Sequence, residues 1–269
     1  MVNQAALSQG KADASDLWKL AAPAVALNAL QTVNSLLDNF FVQRLSPEAV
    51  TAIGASTNVI FLFISVSMAL GTAATAMVSR AFGAENHAEV REAASRCLAF
   101  SLVAGLLFAL LAIPGAFLTA QLFIRDGNGG AKRLAVSYLA AFAFGLPAYF
   151  SVQSLAGALR GVGDTVSPML ISGLQIVLHI GLNYLFIFPS QSVAGFQLPG
   201  FGMGLAGAGL AMCVSGWVAA AVYYLWCRTT ALGQLRLSLP PWEWTARIFR
   251  LATPAATTNV LRVDRKSVV

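Results

Sequence analysis

Charged residues are scarce in this chain of 269 amino acids. They make up 10% of the sequence, whereas hydrophobic residues make up 57%. A soluble globular domain has roughly a quarter of its residues charged, and a water-soluble fold of this length would have to expose much of its surface to solvent. The composition therefore excludes an ordinary soluble domain and predicts a protein whose solvent is the lipid bilayer.

Cysteines and catalytic motifs are scarce as well. Of the three cysteines, Cys213 and Cys227 lie on one predicted helix about 21 Å apart, too far for a disulfide. The sequence has no HExxH, GxSxG or CxxC motif, and GVGDT lacks the Lys-Ser/Thr of a phosphate-binding loop. No basic cluster indicates nucleic acid. We expect no enzyme, no cofactor and no certain metal site.

Long apolar runs dominate the sequence instead. Six of them are long enough to span roughly 30 Å of hydrocarbon at about 20 residues each. They are continuous, which favours helices over the short alternating segments of a β-barrel. The predicted spans are 17–42, 49–78, 93–124, 134–159, 166–188 and 203–227. The sequence thus predicts an all-α polytopic membrane protein, with a polar segment at 1–16 that is no signal peptide and a linker at 228–250.

Lysine and arginine are distributed unevenly along these spans. With the N-terminus inside, the inner segments hold ten of them and the outer loops four, namely Arg44, Arg125, Lys132 and Arg133. The positive-inside rule then places both ends of the six-helix unit in the cytoplasm of a bacterial-type inner membrane. The inner basic residues are expected to contact anionic membrane lipids.

An internal repeat begins near the end of the chain. LAAPAVALNAL at 20–30 and LATPAATTNVL at 251–261 agree at six of eleven positions. Repeated halves are an architecture of secondary transporters, whose binding sites lie between the halves. We interpret 251–261 as the start of a second repeat. The following RVDRKSVV, at 262–269, is too charged to continue a membrane helix and is expected to be a non-native tail.

Several motifs resemble, in their order and spacing, the multidrug and toxic compound extrusion (MATE) family. They are LAAPAVALN, LLDNFFVQRL, GTAATAMVSRAFGAENHAEVREAAS, ALRGVGDTVSPM, LNYLFIF and GLAGAGLA, and they cover nearly all of 17–261. The resemblance implies two lobes of six helices each (6+6) and export of amphipathic or cationic compounds in exchange for protons or sodium. This chain would then be the N-terminal lobe, truncated at the start of helix 7, and the missing C-terminal lobe would be its partner.

The chain departs from that family's pattern at two places. The family often has an Asn and an Asp one turn apart on the fifth helix, where this chain has His179 and Asn183. The sixth helix often carries a Thr where this chain has Met212. The coupling mechanism of better-known family members therefore cannot be assigned to this chain unchanged.

Two helices carry polar stripes. Six polar residues of the first helix fall within about 140° of arc, and four of the fifth fall within about 80°. Polar groups in lipid are costly unless they face a partner or a wet cavity, so we expect both stripes to line a cavity. The residues are Asn28, Gln31, Asn34, Ser35, Asp38 and Asn39 on the first helix, and Ser172, Gln175, His179 and Asn183 on the fifth.

Asp38 is the only carboxylate well inside the predicted spans. It could simply reach the membrane interface, or it could hold a proton or cation; burial favours the protonated form that a proton carrier needs. His179 could be a buried hydrogen-bonding residue, or it could pair with Asp38 and share its proton. We predict Asp38, His179 and Asn183 as the ion-coupling residues.

A further set of residues is predicted to line the cavity. Tyr138, Tyr149 and Gln153 share one side of the predicted fourth helix, and their aromatic rings could contact an amphipathic cation or could pack in the core. The full cavity-lining set is Asn28, Gln31, Asn34, Ser35, Gln175, Tyr138, Tyr149 and Gln153.

The predicted function is export of drugs and toxic compounds coupled to H⁺ or Na⁺. Protons are favoured, because one carboxylate and an imidazole suit a proton better than a cage of several oxygens for a hard cation. One alternative is a lipid-linked saccharide flippase of related fold, which would need cations inside its cavity. Another is a non-transporting membrane scaffold or receptor fragment, which would not need two aligned polar stripes.

Overall fold

A computed structural model describes residues 14–125, 127–193 and 196–264. This part of the chain forms eight helices and one β-hairpin. The helices are α1 (Ala14–Gln43), α2 (Pro47–Gly83), α3 (His87–Phe123), α4 (Gly129–Ala143), α5 (Leu146–Gly161), α6 (Val166–Ile187), α7 (Leu205–Cys227) and α8 (Trp242–Asp264), and the strands are β1 (Pro189–Val193) and β2 (Phe196–Phe201). The predicted all-α membrane architecture is confirmed, with the hairpin as a small addition between α6 and α7.

The predicted fourth span, 134–159, is not one helix. α4 and α5 meet at a bend of 47°, and only together are they long and apolar enough to cross a membrane. Pro147 stands in the first turn of α5, where its missing N–H costs no hydrogen bond. The Phe144 carbonyl at the bend accepts a hydrogen bond from Trp217 Nε1 of α7 at 3.0 Å. The bend is thus held by a contact from another helix.

By length and composition, four or five of the predicted spans are found among the described residues. α2, α3, α6 and α7 meet both criteria alone, and the bent pair raises the number to five. α1, at 30 residues, is also long enough to cross a membrane.

The last helix crosses two of the predicted boundaries near the C-terminal end. α8 begins at Trp242, so residues 242–250 of the predicted linker at 228–250 are helical. The helix also continues past 261, to Asp264. The rest of the predicted tail, 265–269, and residues 1–13 lie outside the described residues.

α2 is the central helix of the fold. It packs against α3, α5 and α8, while α1 packs mainly against α6. The contact between α2 and α5 is close because both helices carry glycine there: a Cβ on Gly71 would lie 2.8 Å from the Gln153 carbonyl oxygen. Thr75 Oγ1 donates a hydrogen bond to the Gly157 carbonyl across this contact at 2.9 Å. The packing of α1 on α6 brings together the two helices with polar stripes.

Candidate functional site

The carboxylate of Asp38 lies on α1, one turn before that helix ends at Gln43. Its side chain is 35% exposed. Oδ1 accepts a hydrogen bond from Asn183 Nδ2 of α6 at 2.6 Å. Oδ2 accepts one from Asn34 Nδ2, one turn earlier on α1, at 3.1 Å. Two amide groups therefore donate to the two carboxylate oxygens.

His179 completes this cluster. Its Nε2 lies 3.3 Å from Asp38 Oδ1 and 3.1 Å from Asn183 Nδ2. His179 and Asn183 are four residues apart on α6, so they share the face that α1 covers. Both are buried, with 8% and 2% of their surface exposed. The structure thus brings together the three residues predicted for ion coupling; their role in coupling stays a prediction.

The contacts of the imidazole depend on which ring nitrogen carries a hydrogen. A hydrogen on Nε2 would be donated to Asp38 Oδ1, whereas Nε2 without hydrogen would accept one from Asn183 Nδ2. Nδ1 is buried, and within the described structure it has no hydrogen-bond partner. A hydrogen on Nδ1 would leave a buried N–H unsatisfied, which is costly. The geometry therefore places Nε2, and not Nδ1, against the Asp38 carboxyl group.

Two amide oxygens in the cluster are also without a partner in the described part of the chain. They are Asn34 Oδ1 and Asn183 Oδ1, both buried. Because an amide can rotate and exchange its oxygen for its nitrogen, either group could accept a hydrogen bond from Asp38 once Asp38 is protonated. The cluster can therefore satisfy the carboxyl group in both of its protonation states.

The other predicted cavity residues divide into those near the cluster and those on open surface. Tyr138 of α4 packs against a buried cluster that includes Val42 at the end of α1, and it interacts electrostatically with Asp38. Gln175, one turn before His179, is half-buried. Four residues of the α1 stripe are exposed, namely Asn28, Gln31, Ser35 and Asn39. The described chain thus leaves part of this stripe uncovered.

Tyr149 and Gln153 do not join the Asp38 cluster. Gln153 Nε2 donates to the Tyr149 hydroxyl at 3.2 Å, and Tyr149 packs against the core formed by α2, α3 and α5. Tyr138 stands on α4, and a bend of 47° separates it from Tyr149 and Gln153 on α5, so the three residues no longer follow one helical period. That they line a cavity stays a prediction.

The polar stripe of α6 also serves a structural contact that the sequence analysis missed. Ser172 Oγ lies 2.8 Å from the Tyr223 hydroxyl of α7, and that hydroxyl donates to the Pro168 carbonyl at 2.9 Å. A tyrosine inside an apolar helix could have indicated this contact, because a buried phenol needs a partner. Among the described residues, no group of three His, Cys, Asp or Glu side chains is placed to hold a metal ion.

Comparisons with known proteins were consistent with one another. The family model described as MatE matches residues 23–185. The chain is 30% identical over 248 residues to a "Probable multidrug resistance protein NorM" of Thermotoga maritima, with 91% of this chain and 51% of the relative aligned. It is 25% identical over 269 residues to a "Multidrug resistance protein NorM" of Vibrio parahaemolyticus, with 96% and 56% aligned.

Solved structures show the same relationship. A crystal structure of MATE in complex with MaD3S superposes with a TM-score of 0.79 at 25% identity, covering 90% of this chain and 52% of the other. The outward-facing conformation of a multidrug resistance MATE family transporter gives 0.77 at 26% identity, covering 90% and 51%. The chain therefore spans about half the length of the relatives that it matches.

Proposed function

The chain belongs to the MatE family, and on that premise we propose that it forms the N-terminal lobe of a proton-coupled antiporter. The antiporter would export amphipathic or cationic compounds across a bacterial-type inner membrane, with the N-terminus of this lobe in the cytoplasm. Names of relatives as multidrug resistance proteins support the cargo class. The missing C-terminal lobe would form the other wall of the cavity, opposite the exposed part of the α1 stripe.

The observation that carries this proposal is the contact between Asp38 and His179. The distance of 3.3 Å between Oδ1 and Nε2 is close enough for one proton to serve both groups. The carboxylate is reached mainly by nitrogen donors, from Asn183 and Asn34. A sodium ion would need several oxygen ligands in place of these nitrogen donors, whereas a proton needs only the contact between Asp38 and His179. That contact favours a proton over sodium as the coupling ion.

No observation favours the lipid-linked saccharide flippase. Such a carrier would need cations within its cavity to hold a pyrophosphate. The arginines of two central helices stand at helix ends instead, with Arg80 in the last turn of α2 and Arg160 in the last turn of α5. The antiporter remains our proposal.

An efflux assay tests the proposal. Residues 1–264 would be joined to the C-terminal half of the Thermotoga maritima relative, and the chimera would be reconstituted in liposomes with an imposed pH gradient. We expect export of a fluorescent lipophilic cation that depends on the proton gradient and not on sodium. Asp38→Asn should abolish export, because the amide cannot carry the proton.

The matched control is Asp164→Asn in the turn before α6. Asp164 Oδ1 accepts a hydrogen bond from the Ser167 amide at 2.9 Å, and asparagine caps a helix about as well as aspartate. Export should therefore survive this change. Equal export by the Asp38→Asn and Asp164→Asn chimeras would contradict the proposal, and so would export driven by sodium alone.

A further inference from the structure

An apolar cleft lies between α2, α3 and α8, on another side of the lobe from Asp38. Its volume is about 510 Å³. The walls include Leu70 of α2, Phe100 and Leu107 of α3, and Phe249 of α8. The single hydroxyl among the lining residues belongs to Thr253 and donates to the Phe249 carbonyl at 2.7 Å. A cavity with so few polar partners does not hold ordered water, so its ligand must be apolar.

The cleft runs from the core of the lobe to its outer surface. Leu70 is only 6% exposed, whereas Leu107 is 57% exposed. In a bilayer, side chains exposed on this face of a membrane helix contact hydrocarbon. Acyl chains of lipids can therefore enter the cleft from that side.

The dimensions of the cleft match one acyl chain of one leaflet. The lining residues of α3 run from Phe100 to Leu111, which is about 16 Å along a helix. Half of the hydrocarbon core is about 15 Å. If a methylene group is taken as similar in volume to a water molecule, at about 30 Å³, the cleft has room for on the order of ten to twenty such groups.

One end of the cleft carries features of a headgroup region. Arg96 stands four residues before Phe100, on the same face of α3. Its guanidinium donates to the Leu239 carbonyl at 2.7 Å and to the Ser238 carbonyl at 3.5 Å, and it lies 3.5 Å from Glu92. A guanidinium has five N–H donors, more than these three acceptors take up. It can therefore also bind a phosphate.

An aromatic residue marks the same end on α8. Trp242 stands seven residues before Phe249, hence on the same face of the helix, and it is exposed. Tryptophan is enriched at the interface between membrane and water. Together with Arg96, Trp242 places this end of the cleft at the level of the lipid headgroups.

We propose that this cleft binds one anionic phospholipid, with an acyl chain between α2, α3 and α8 and the headgroup phosphate at Arg96. The lipid comes from the leaflet that contains the first turns of α3. It fills the space between α8 and the rest of the lobe, and it joins the first helix of the second repeat to the first lobe. This site is independent of Asp38 and of the proposed coupling mechanism.

Native mass spectrometry of the purified chain tests the proposal. The chain would be offered equal amounts of phosphatidylglycerol and phosphatidylcholine with identical acyl chains. We expect one phosphatidylglycerol to be retained in preference. Ala104→Phe places a ring in the cleft, because Ala104 lines it, and should lower the retention about tenfold, since burying a pair of methylene groups is worth that much. The control Leu110→Phe adds a ring at an exposed position of α3 outside the cleft and should leave the retention unchanged.

The headgroup contact has its own pair of variants. Arg96→Gln removes the charge but keeps a donor for the Leu239 carbonyl, so it should remove the preference for phosphatidylglycerol without removing the bound lipid. Arg91→Gln makes the same change on another face of α3, about 140° around the helix, and should keep the preference. Equal retention by Ala104→Phe and Leu110→Phe, or equal preference in Arg96→Gln and Arg91→Gln, would overturn the proposal.

A second measurement needs no variant, and it tests whether an acyl chain occupies the cleft even if Ala104→Phe fails to fold. Phosphatidylglycerol with a photoreactive group on its acyl chain would be cross-linked to the unmodified chain. We expect the products to concentrate at 100–111 and 249–256. Products spread evenly over lipid-facing residues such as Leu170 and Leu174 of α6, or a dimer of this chain that excludes the lipid from the cleft, would refute it.

Discussion

Gly157 of α5 is a position where the fold leaves almost no room for a side chain. A Cβ there would overlap the carbonyl oxygen of Gly71 and would lie 3.0 Å from its carbonyl carbon and 3.1 Å from its Cα. These are backbone atoms within α2, so they cannot rotate away as a flexible side chain would. The two helices would have to separate, and the hydrogen bond from Thr75 to the Gly157 carbonyl crosses the same contact.

We therefore expect Gly157→Ala to destabilise the chain. Overpacking of this kind costs about 1–3 kcal/mol. For a chain of this size that corresponds to a fall in apparent Tm of about 3–10 °C. A thiol-reactive fluorescent dye can follow the unfolding, because all three cysteines, Cys97, Cys213 and Cys227, are free and buried.

The control is Gly54→Ala on α2. A Cβ at Gly54 would have no heavy atom within 4 Å, and alanine favours a helix over glycine by up to about 1 kcal/mol. Its apparent Tm should stay the same or rise. If Gly157→Ala melts at the same temperature as Gly54→Ala, the close packing of α2 on α5 is not what this structure describes.

Two further substitutions test contacts of α7 with the same dye. Trp217→Phe removes the hydrogen bond to the Phe144 carbonyl and should lower the free energy of unfolding by about 1 kcal/mol. The control Trp226→Phe, at an exposed position of α7, should change it by less than about 0.5 kcal/mol. Equal changes in the two variants would argue against a stabilising contact at the bend. Tyr223→Phe leaves the Ser172 hydroxyl without its partner and should cost about 1–3 kcal/mol, and an unchanged Tm would show that this buried contact contributes nothing.

The sequence predicted most of the helices, but it did not predict the angle of the bend. The spans around α2, α3, α6 and α7 are marked by long apolar runs, which are sufficient evidence for a membrane helix. The break between α4 and α5 depends on Trp217, a residue more than seventy positions further along the chain that donates to the Phe144 carbonyl. Gly145 and Pro147 permit a kink at this place, but its size is decided by packing that a local pattern does not contain.

Part of the candidate site could be predicted from the sequence, and the remainder depends on contacts between distant helices. Asp38, His179 and Asn183 stand out because polar groups in an apolar helix need partners, and helical spacing puts the last two on one face. Tyr149 and Gln153 were predicted to share one side of a continuous helix with Tyr138, and the bend between α4 and α5 interrupts that helix. Tyr223 was overlooked because it stands alone in an apolar helix, and its partner Ser172 had been assigned to the cavity.

Infrared spectroscopy on the reconstituted chain tests the central claim most directly. The carboxyl band of protonated Asp38 would be followed as the pH is lowered, with Asp38→Asn to identify it and His179→Gln to perturb it. We predict a band that is absent in Asp38→Asn, displaced in His179→Gln and indifferent to sodium. A spectrum that is the same in Asp38→Asn, or a band that sodium abolishes at constant pH, would contradict a proton shared between Asp38 and His179.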